Sequence, residues 1–253
     1  TGYYNEWTAA YYDPQEETQN HEILILGWDD SFSRFLFAQT PDQDGAFICQ
    51  NSWGEDFGNQ GIFYVSYADA NIARTAMAYT KIEPADNYDR IYQTDDCGWR
   101  GRQGYDDGEC WFANVYRAGE GEQLAAAGFY AVGEDTFYEL YLVETFSGTA
   151  DFSKRRLLKR GTFRWSGYYT VELSEEIPLR EGERFALLVH INTPDAKNPV
   201  AVEYRGDPDA KNVTTDGKYG FISRDGNDWD HTEEKYGSNV CLKAYTRMTD
   251  TGR

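Results

Sequence analysis

Asn20-His21-Glu22-Ile23-Leu24-Ile25-Leu26-Gly27-Trp28-Asp29-Asp30 decides the fold of the first part of this 253-residue chain. Four consecutive aliphatic residues, 23–26, predict a buried β-strand with His21 just before it. A second block, Phe47-Ile48-Cys49-Gln50-Asn51-Ser52-Trp53-Gly54, predicts a further strand that ends in a turn. If the two strands are neighbours in a sheet, His21 and Asn51 lie close together at their ends.

His21, Asn51 and Trp53 are the residue types that cysteine-dependent catalysis requires around a thiol. A thiol is a nucleophile only as the thiolate, which an adjacent imidazole stabilises, and the imidazolium must be held in one orientation. A side-chain amide can hold the ring without taking its proton. An indole over the histidine–asparagine hydrogen bond excludes water and strengthens that bond. The simpler alternatives are a structural histidine at a strand start and an asparagine that forms a turn.

Together with Gly61-Ile62-Phe63-Tyr64-Val65-Ser66-Tyr67, these blocks form a pattern that resembles the C-terminal half of papain-type cysteine peptidases. The resemblance implies that His21 and Asn51 are catalytic and that Trp53 supports them. In this family the nucleophilic cysteine, and the glutamine of the oxyanion hole before it, lie far upstream of the histidine. Only twenty residues precede His21 and none is cysteine. We therefore expect an N-terminal half with the nucleophile, on a second chain or on a missing segment.

The four cysteines of the chain all follow His21, so none stands where the nucleophile of the family does. Cys49 lies two residues before Asn51 on the predicted strand and is interpreted as a small buried hydrophobic residue. Cys97 and Cys110 flank a loop rich in Gly and Asp, and they are the pair closest in sequence. They are candidates for a local disulfide, and two free thiols are the alternative.

A domain boundary is predicted near Glu83. Residues 76–79 resemble the last strand of the peptidase fold, and residues 84–90, which are polar and include a proline, indicate a linker. Beyond the linker, short alternating runs between Gly- and Asp-rich turns predict an all-β sandwich. The predicted strands are 137–144, 168–173, 185–191, 200–204 and 240–245. The predicted domains are residues 1–83 and 91–253.

The second part is similar to the lectin-like domain that follows the peptidase in some clostridial-type papain-family enzymes. The similar residues include Gly98-Trp99, Trp111-Phe112-Ala113-Asn114-Val115-Tyr116 and Asn239-Val240-Cys241-Leu242-Lys243-Ala244-Tyr245. The predicted fold class is an α+β papain-like half-domain, mainly its β-rich subdomain, followed by an all-β jelly-roll or sandwich lectin-like domain.

Two kinds of ligand are candidates for the second part. Exposed aromatic rings can stack on sugars, and packing in the sandwich core is the more common use of a tryptophan. The candidate tryptophans are Trp99, Trp111, Trp165 and Trp229.

Calcium as a structural ion is implied by the resemblance alone, since no loop has EF-hand spacing, and solvated turns are the alternative. The candidate ligands are Asp95, Asp96, Asp106 and Asp107.

The chain is acidic, with a formal net charge of -19 at pH 7. Binding to nucleic acid or to an anionic membrane requires a basic surface, so neither is expected as a partner. The sequence contains no run of about eighteen apolar residues, so no membrane-spanning helix is expected.

Two functions are open at this point. The first is a secreted or cell-surface bacterial cysteine endopeptidase, which cleaves protein or peptide substrates, requires no cofactor and takes its nucleophile from the expected N-terminal half. The second is a catalytically inactive protein that binds carbohydrate, for instance that of a cell wall. The presence of His21, Asn51 and Trp53 favours the peptidase.

Overall fold

A computed structural model describes residues 2–208 and 210–249 of the chain. These residues form two compact units, one within residues 1–79 and the other within residues 80–253. Strands dominate both units, and the described part contains one α-helix and two 3₁₀ helices. No helix among the described residues is long and apolar enough to cross a membrane.

The first unit is built around a five-stranded sheet. Its strands are β1 (Tyr4–Asn5), β2 (Ala10–Tyr11), β3 (Leu24–Asp29), β4 (Ala46–Gln50) and β5 (Ile62–Ser66). They lie in the order β1-β2-β5-β4-β3, and neighbours are antiparallel except for β2 with β5. The 3₁₀ helix Arg34–Leu36 lies between β3 and β4 in the chain. The two motif blocks therefore do form neighbouring strands.

One face of β4 and β5 carries the core of the first unit. Cys49, Phe63 and Val65 are buried there with Ala9, and the half-buried Phe57 packs against them. Successive side chains of a strand point to opposite faces, which is why Phe63 and Val65 share the core face. The burial of Cys49 confirms its interpretation as a small hydrophobic residue.

β3 is not the buried strand that its aliphatic residues predict. Leu24 is 53% exposed, Ile25 is 36% exposed and Leu26 is 52% exposed. The reason is the position of β3 at the edge of the sheet, where it pairs with β4 and with no other strand in the described part of the chain. The prediction of a buried strand at residues 23–26 is therefore wrong for this chain.

Residues 76–79 also differ from the prediction. They do not form a strand, and residues 76–83 have no regular secondary structure. Met77 and Tyr79 are 86% and 85% exposed. Strands require partners for their backbone N–H and C=O groups, and no strand that the structure describes pairs with this segment.

The second unit is a β-sandwich of thirteen described strands. They are β6 (Arg90–Tyr92), β7 (Gly101–Gln103), β8 (Glu109–Arg117), β9 (Glu122–Ala131), β10 (Thr136–Val143), β11 (Arg156–Phe163), β12 (Gly167–Pro178), β13 (Arg184–Asn192), β14 (Val200–Tyr204), β15 (Gly220–Ser223), β16 (Asp230–His231), β17 (Ser238–Val240) and β18 (Leu242–Met248). Helix α1, Thr232–Tyr236, lies between β16 and β17, and the 3₁₀ helix Thr149–Lys154 precedes β11. The sheet orders are β11-β10-β13-β8-β15-β16, β12-β9-β18-β6 and β17-β14-β7.

The main core combines side chains of the six-stranded and four-stranded sheets. Phe129 of β9, Leu140 of β10, Leu187 of β13 and Leu242 of β18 are fully buried in it. A second apolar cluster includes Leu188 of β13 and the 3₁₀ residue Phe152. Because Leu187 and Leu188 point to opposite faces, both faces of this central strand are covered.

The strands predicted in this part are largely present. Residues 137–144, 168–173, 185–191 and 200–204 correspond to β10, β12, β13 and β14. The predicted strand 240–245 is interrupted at Cys241, because the chain leaves the three-stranded sheet after β17 and enters the four-stranded sheet with β18.

Candidate active site

His21 and Asn51 lie side by side at one end of the first sheet. Leu24 is opposite Gln50 in the antiparallel ladder of β3 and β4, so the chain just before β3 meets the chain just after β4. Nε2 of His21 is 2.9 Å from Oδ1 of Asn51. The fold therefore brings together the two residues that the sequence predicts as neighbours.

Asn51 is a fixed partner for the imidazole. It is buried, and its backbone N–H donates to the carbonyl oxygen of Gly61 at 2.9 Å. Its Oδ1 also accepts the backbone N–H of Ser52 at 2.8 Å. Because an amide oxygen only accepts hydrogen bonds, Nε2 of His21 is the donor in the contact with Asn51. Nδ1 of the neutral ring is then the nitrogen that can take a proton.

Trp53 lies beside the imidazole of His21. The two ring centroids are 5.1 Å apart with an angle of 33° between the planes. Trp53 also packs edge-on against Phe57, with centroids 4.9 Å apart, which links it to the core of the first unit. It is nevertheless 63% exposed. Its role as a shield for the His21–Asn51 hydrogen bond stays a prediction.

Cys49 is the one cysteine among residues 1–79, and it does not suit the role of nucleophile. It is fully buried, and burial raises the pKa of its thiol to about 12. A thiol with such a pKa is almost entirely protonated at neutral pH and does not attack a carbonyl. The first unit therefore holds a histidine that is hydrogen-bonded to an asparagine, without a usable thiol among its described residues.

Cys97 and Cys110 do not form the candidate disulfide. Both are free thiols, with Cys97 exposed and Cys110 buried. Cys110 points into the main core from the start of β8, where its Sγ is 3.5 Å from the carbonyl oxygen of Ser223. Cys97 is held elsewhere, since its backbone N–H donates to Oε2 of Glu203 at 2.8 Å.

The candidate calcium ligands do not form a cluster of carboxylates among the described residues. Asp95 is buried, and its Oδ2 is 2.7 Å from Nζ of Lys243, so an ammonium group already neutralises this carboxylate. Asp96, Asp106 and Asp107 are exposed. Calcium takes about six to eight oxygen ligands. Among the residues that the structure describes, no group of three or more His, Cys, Asp or Glu side chains could hold a metal ion.

Three of the four candidate tryptophans for sugar stacking, Trp99, Trp111 and Trp229, are half-buried. The ring of Trp111 packs within the protein, since it stacks on His190 with the ring centroids 4.5 Å apart. Trp165 is 56% exposed.

Comparison with known families also divides the chain into two parts. Residues 91–246 match the family described as "Lectin like domain", and residues 2–81 match "Papain family cysteine protease". The chain therefore belongs to the lectin-like domain family, and the segment ahead of that domain matches the papain family. A search of curated proteins gives no significant match.

Two similar solved structures have the same fold. One is a cysteine-to-alanine variant of the clostridial cysteine protease Cwp84 after propeptide cleavage, with 24% identity and a TM-score of 0.80 over 98% of this chain and 63% of that one. The other contains the cysteine protease and lectin-like domains of Cwp84, a surface layer associated protein of Clostridium difficile. Its identity is 24% and its TM-score 0.77, over 98% of this chain and 56% of that one. The chain thus spans about three fifths of the length of these structures.

Proposed function

We propose that this chain is part of a papain-like cysteine endopeptidase and supplies its catalytic histidine and asparagine. The observation that carries the proposal is the 2.9 Å contact between His21 and the buried Asn51. The match of residues 2–81 to the papain family supports it. The nucleophilic cysteine is contributed by an N-terminal half of the peptidase, on a second chain or on a segment ahead of this one.

In the proposed reaction, Nδ1 of His21 takes the proton of the cysteine thiol, and the thiolate attacks the carbonyl carbon of the scissile peptide bond. Asn51 accepts a hydrogen bond from Nε2 and keeps Nδ1 directed at the reacting groups. His21 then protonates the leaving amine. It next removes a proton from the water that hydrolyses the acyl-enzyme, and the thiol is restored. The N-terminal half would provide donors for the oxyanion.

The apolar edge of the first sheet supports docking of that N-terminal half. Leu24 and Leu26 are about half exposed and Trp28 is 69% exposed, all on the same edge strand β3. Apolar side chains grouped in this way mark a surface that another protein segment covers. We assign this edge to the polypeptide that carries the thiol.

A protein or peptide substrate and a location outside the cell complete the proposal. The second similar structure belongs to a surface layer associated protein and combines a cysteine protease with a lectin-like domain. This chain matches the same two families in the same order. We propose that this protein too is secreted or held at the cell surface.

The test is intact mass spectrometry of the chain purified from its natural source and treated with iodoacetamide at pH 6. The expected result is one cysteine that alkylates fast, on a copurifying polypeptide or on a segment ahead of this chain, because the adjacent imidazolium keeps its thiol ionised. His21→Ala should slow this alkylation about 10- to 100-fold, as the thiol returns towards its usual pKa of about 8.5. His190→Ala, a histidine variant in the second unit, is the matched control and should leave the rate unchanged.

Purification of this chain alone, with no fast thiol in the sample, would refute the peptidase proposal. That outcome would favour the inactive carbohydrate-binding protein as the alternative. Equal alkylation rates in the His21→Ala variant and the unmodified protein would show that a thiol is present but does not depend on His21.

A further inference from the structure

One segment of the second unit is basic, although the chain as a whole has a formal net charge of -19. Six of the 24 Lys and Arg residues lie between residues 154 and 164, and residues 152–171 contain no Asp or Glu. Strand β11, Arg156–Phe163, occupies the middle of this segment. Positive charge is therefore concentrated on one strand of an otherwise acidic molecule.

Half of these six cations lack a carboxylate partner. Lys154 and Arg156 are in ion pairs, and the guanidinium of Arg155 lies 4.5 Å from the centroid of an indole ring. The other three make no ion pair with any residue that the structure describes, and they are Lys159, Arg160 and Arg164. This strand therefore carries positive charge that the rest of the described chain leaves unpaired.

The surroundings of these three side chains leave room for an anion. Nζ of Lys159 donates to a neutral group, the carbonyl oxygen of Glu172, at 2.6 Å. Arg160 is opposite Glu139 in the ladder with β10, but Oε2 of that carboxylate already accepts the hydroxyl of Tyr141 at 2.7 Å. Arg160 and Arg164 are both exposed. An incoming carboxylate can therefore reach their guanidinium groups.

β11 is also an edge strand. It pairs with β10 on one side and with no other strand in the described part of the chain. Outside that ladder, no backbone–backbone hydrogen bond of the described residues involves residues 156–163. An edge strand presents a row of unpaired N–H and C=O groups, which a further strand can bind.

The side chains of β11 determine which strand the edge accepts. Proteins protect sheet edges with short strands, prolines, bulges, covering segments or charged side chains. β11 has eight residues, no proline and one bulge in its ladder with β10, so positive charge is its main protection. Like charges on neighbouring strands destabilise the pair, and opposite charges stabilise it. The edge therefore disfavours a second β11 and favours an acidic strand.

We propose that the free edge of β11 binds an acidic, extended polypeptide segment as an additional strand. Backbone hydrogen bonds hold the segment, and its carboxylates face Arg160 and Arg164, whose guanidinium groups can each bind a carboxylate through two parallel hydrogen bonds. Four residues of an extended chain span about 13 Å. Because two paired strands have the same rise per residue, acidic residues at alternate positions of the segment match both arginines.

A polypeptide suits this edge better than a phosphate polymer does. Both would satisfy the cations, but only a polypeptide also pairs with the backbone groups of residues 156–163. The proposal does not depend on the peptidase function, because β11 belongs to the second unit, whereas His21 and Asn51 belong to the first.

The test is fluorescence anisotropy of the full chain with a labelled synthetic peptide of about ten residues, in which threonine and glutamate alternate. Saturable binding is expected at about 50 mM salt, and it should weaken as the salt concentration rises. Hydrogen exchange of the complex should show new protection of backbone amides within residues 156–163, because a paired strand protects them. A peptide with lysine in place of glutamate should not bind.

The double variant Arg160→Gln and Arg164→Gln should weaken binding of the acidic peptide about tenfold, since it removes both cations. Arg164→Gln alone should weaken it about threefold, and this residue lies after the last residue of β11, outside the ladder with β10. Lys197→Gln is the matched control, because Lys197 is an exposed cation between β13 and β14. It should leave the Kd unchanged within about twofold. Thermal unfolding of the three variants should match that of the unmodified chain.

His21→Ala should also leave the Kd unchanged, which separates this test from that of the peptidase function. The proposal is overturned if the acidic peptide does not bind, if the double variant binds it as tightly as the unmodified chain, or if amides 156–163 gain no protection. Binding of inorganic polyphosphate without binding of the peptide would also overturn it. A dimer that dissociates in the double variant, as measured by analytical ultracentrifugation, would assign the edge to a second copy and overturn it too.

Discussion

The 2.9 Å contact between Nε2 of His21 and Oδ1 of Asn51 depends on the register of one β-ladder. β3 and β4 are antiparallel with Leu24 opposite Gln50, and neither His21 nor Asn51 is itself within a strand. A slip of two residues in this ladder would displace the imidazole by about 7 Å along the strand. The candidate site therefore rests on the pairing of the two strands as much as on its own side chains.

Asn51→Ala should lower kcat of the assembled peptidase about 100-fold and change KM little. In the proposed mechanism the amide of Asn51 orients the imidazole during proton transfer and does not bind the substrate, so its loss affects the chemical step. The measurement is steady-state hydrolysis of a peptide substrate by the complex of this chain with the polypeptide that supplies the thiol.

Asn59→Ala is the matched control, because Asn59 is an exposed asparagine in the turn before β5. It should leave both kcat and KM unchanged. If Asn51→Ala raised KM and left kcat intact, Asn51 would be a substrate-binding residue and its orienting role would be excluded.

Lys243→Met should destabilise the second unit by about 3 kcal/mol at pH 7, because it leaves the buried Asp95 without its cation. Burial raises the pKa of Asp95, and Lys243 opposes that shift. Because the pKa of Asp95 is raised in the folded state, the contribution of Asp95 to stability is full at low pH and is lost as the pH rises through that pKa. The destabilisation should therefore be smaller at pH 4 than at pH 7, as measured by urea unfolding.

The control for this pair is Lys154→Met, which removes the partner of Asp151. Nζ of Lys154 is 2.8 Å from Asp151, but the lysine side chain is 73% exposed. Exposed ion pairs contribute about 0–1 kcal/mol. If Lys154→Met lost as much stability as Lys243→Met, burial of the ion pair would not explain the effect. If Lys243→Met lost the same stability at pH 4 and at pH 7, ionisation of Asp95 would not explain it.

Tyr141→Phe should destabilise the second unit by about 1 kcal/mol at pH 7. The hydroxyl of Tyr141 donates to Oε2 of Glu139 at 2.7 Å, and this hydrogen bond is the main cause that lowers the pKa of Glu139. Because the pKa of Glu139 is lower in the folded state, Glu139 stabilises the fold above the ordinary pKa of a glutamate. This stability is lost as the pH falls through the pKa of Glu139 in the folded state. The difference between Tyr141→Phe and the unmodified protein should therefore shrink as the pH falls and Glu139 becomes protonated, as measured by urea unfolding.

Tyr219→Phe serves as the comparison for the loss of a hydroxyl. Tyr219 is 46% exposed, and its hydroxyl makes no hydrogen bond among the described residues, so its stability should not change. A pH-independent loss in Tyr141→Phe would mean that packing, and not the hydrogen bond to Glu139, explains the effect.

The adjacency of His21 and Asn51 could be predicted because it follows from two neighbouring strands. Once two consecutive strands pair antiparallel, the start of the first lies beside the end of the second, and this holds for β3 and β4 although residues 30–45 separate them. The strand at residues 185–191, which is β13, was predictable for a similar reason, since alternation along a strand is a local property.

Other features depend on long-range contacts that a single sequence does not encode in a pattern. Cys97 and Cys110 are close in sequence, but Cys97 lies exposed in the segment between β6 and β7, whereas Cys110 is buried on β8. The exposure of β3 was not predicted, because a run of aliphatic residues indicates a strand that becomes buried but does not show whether the same chain or another polypeptide buries it.

Leu26→Lys should weaken the association of this chain with the proposed N-terminal half about 10- to 100-fold. Leu26 is 52% exposed and lies at a bulge of β3, where Ile25 and Gly27 pair with consecutive residues of β4 and Leu26 has no partner. Burial of a leucine side chain contributes about 1.5–3 kcal/mol, which the lysine would forfeit. Met77→Lys replaces another exposed apolar residue in an irregular segment and should have no effect. Copurification yield and the Kd from analytical ultracentrifugation provide the measurement, and equal weakening by both variants would show that β3 is not the docking edge.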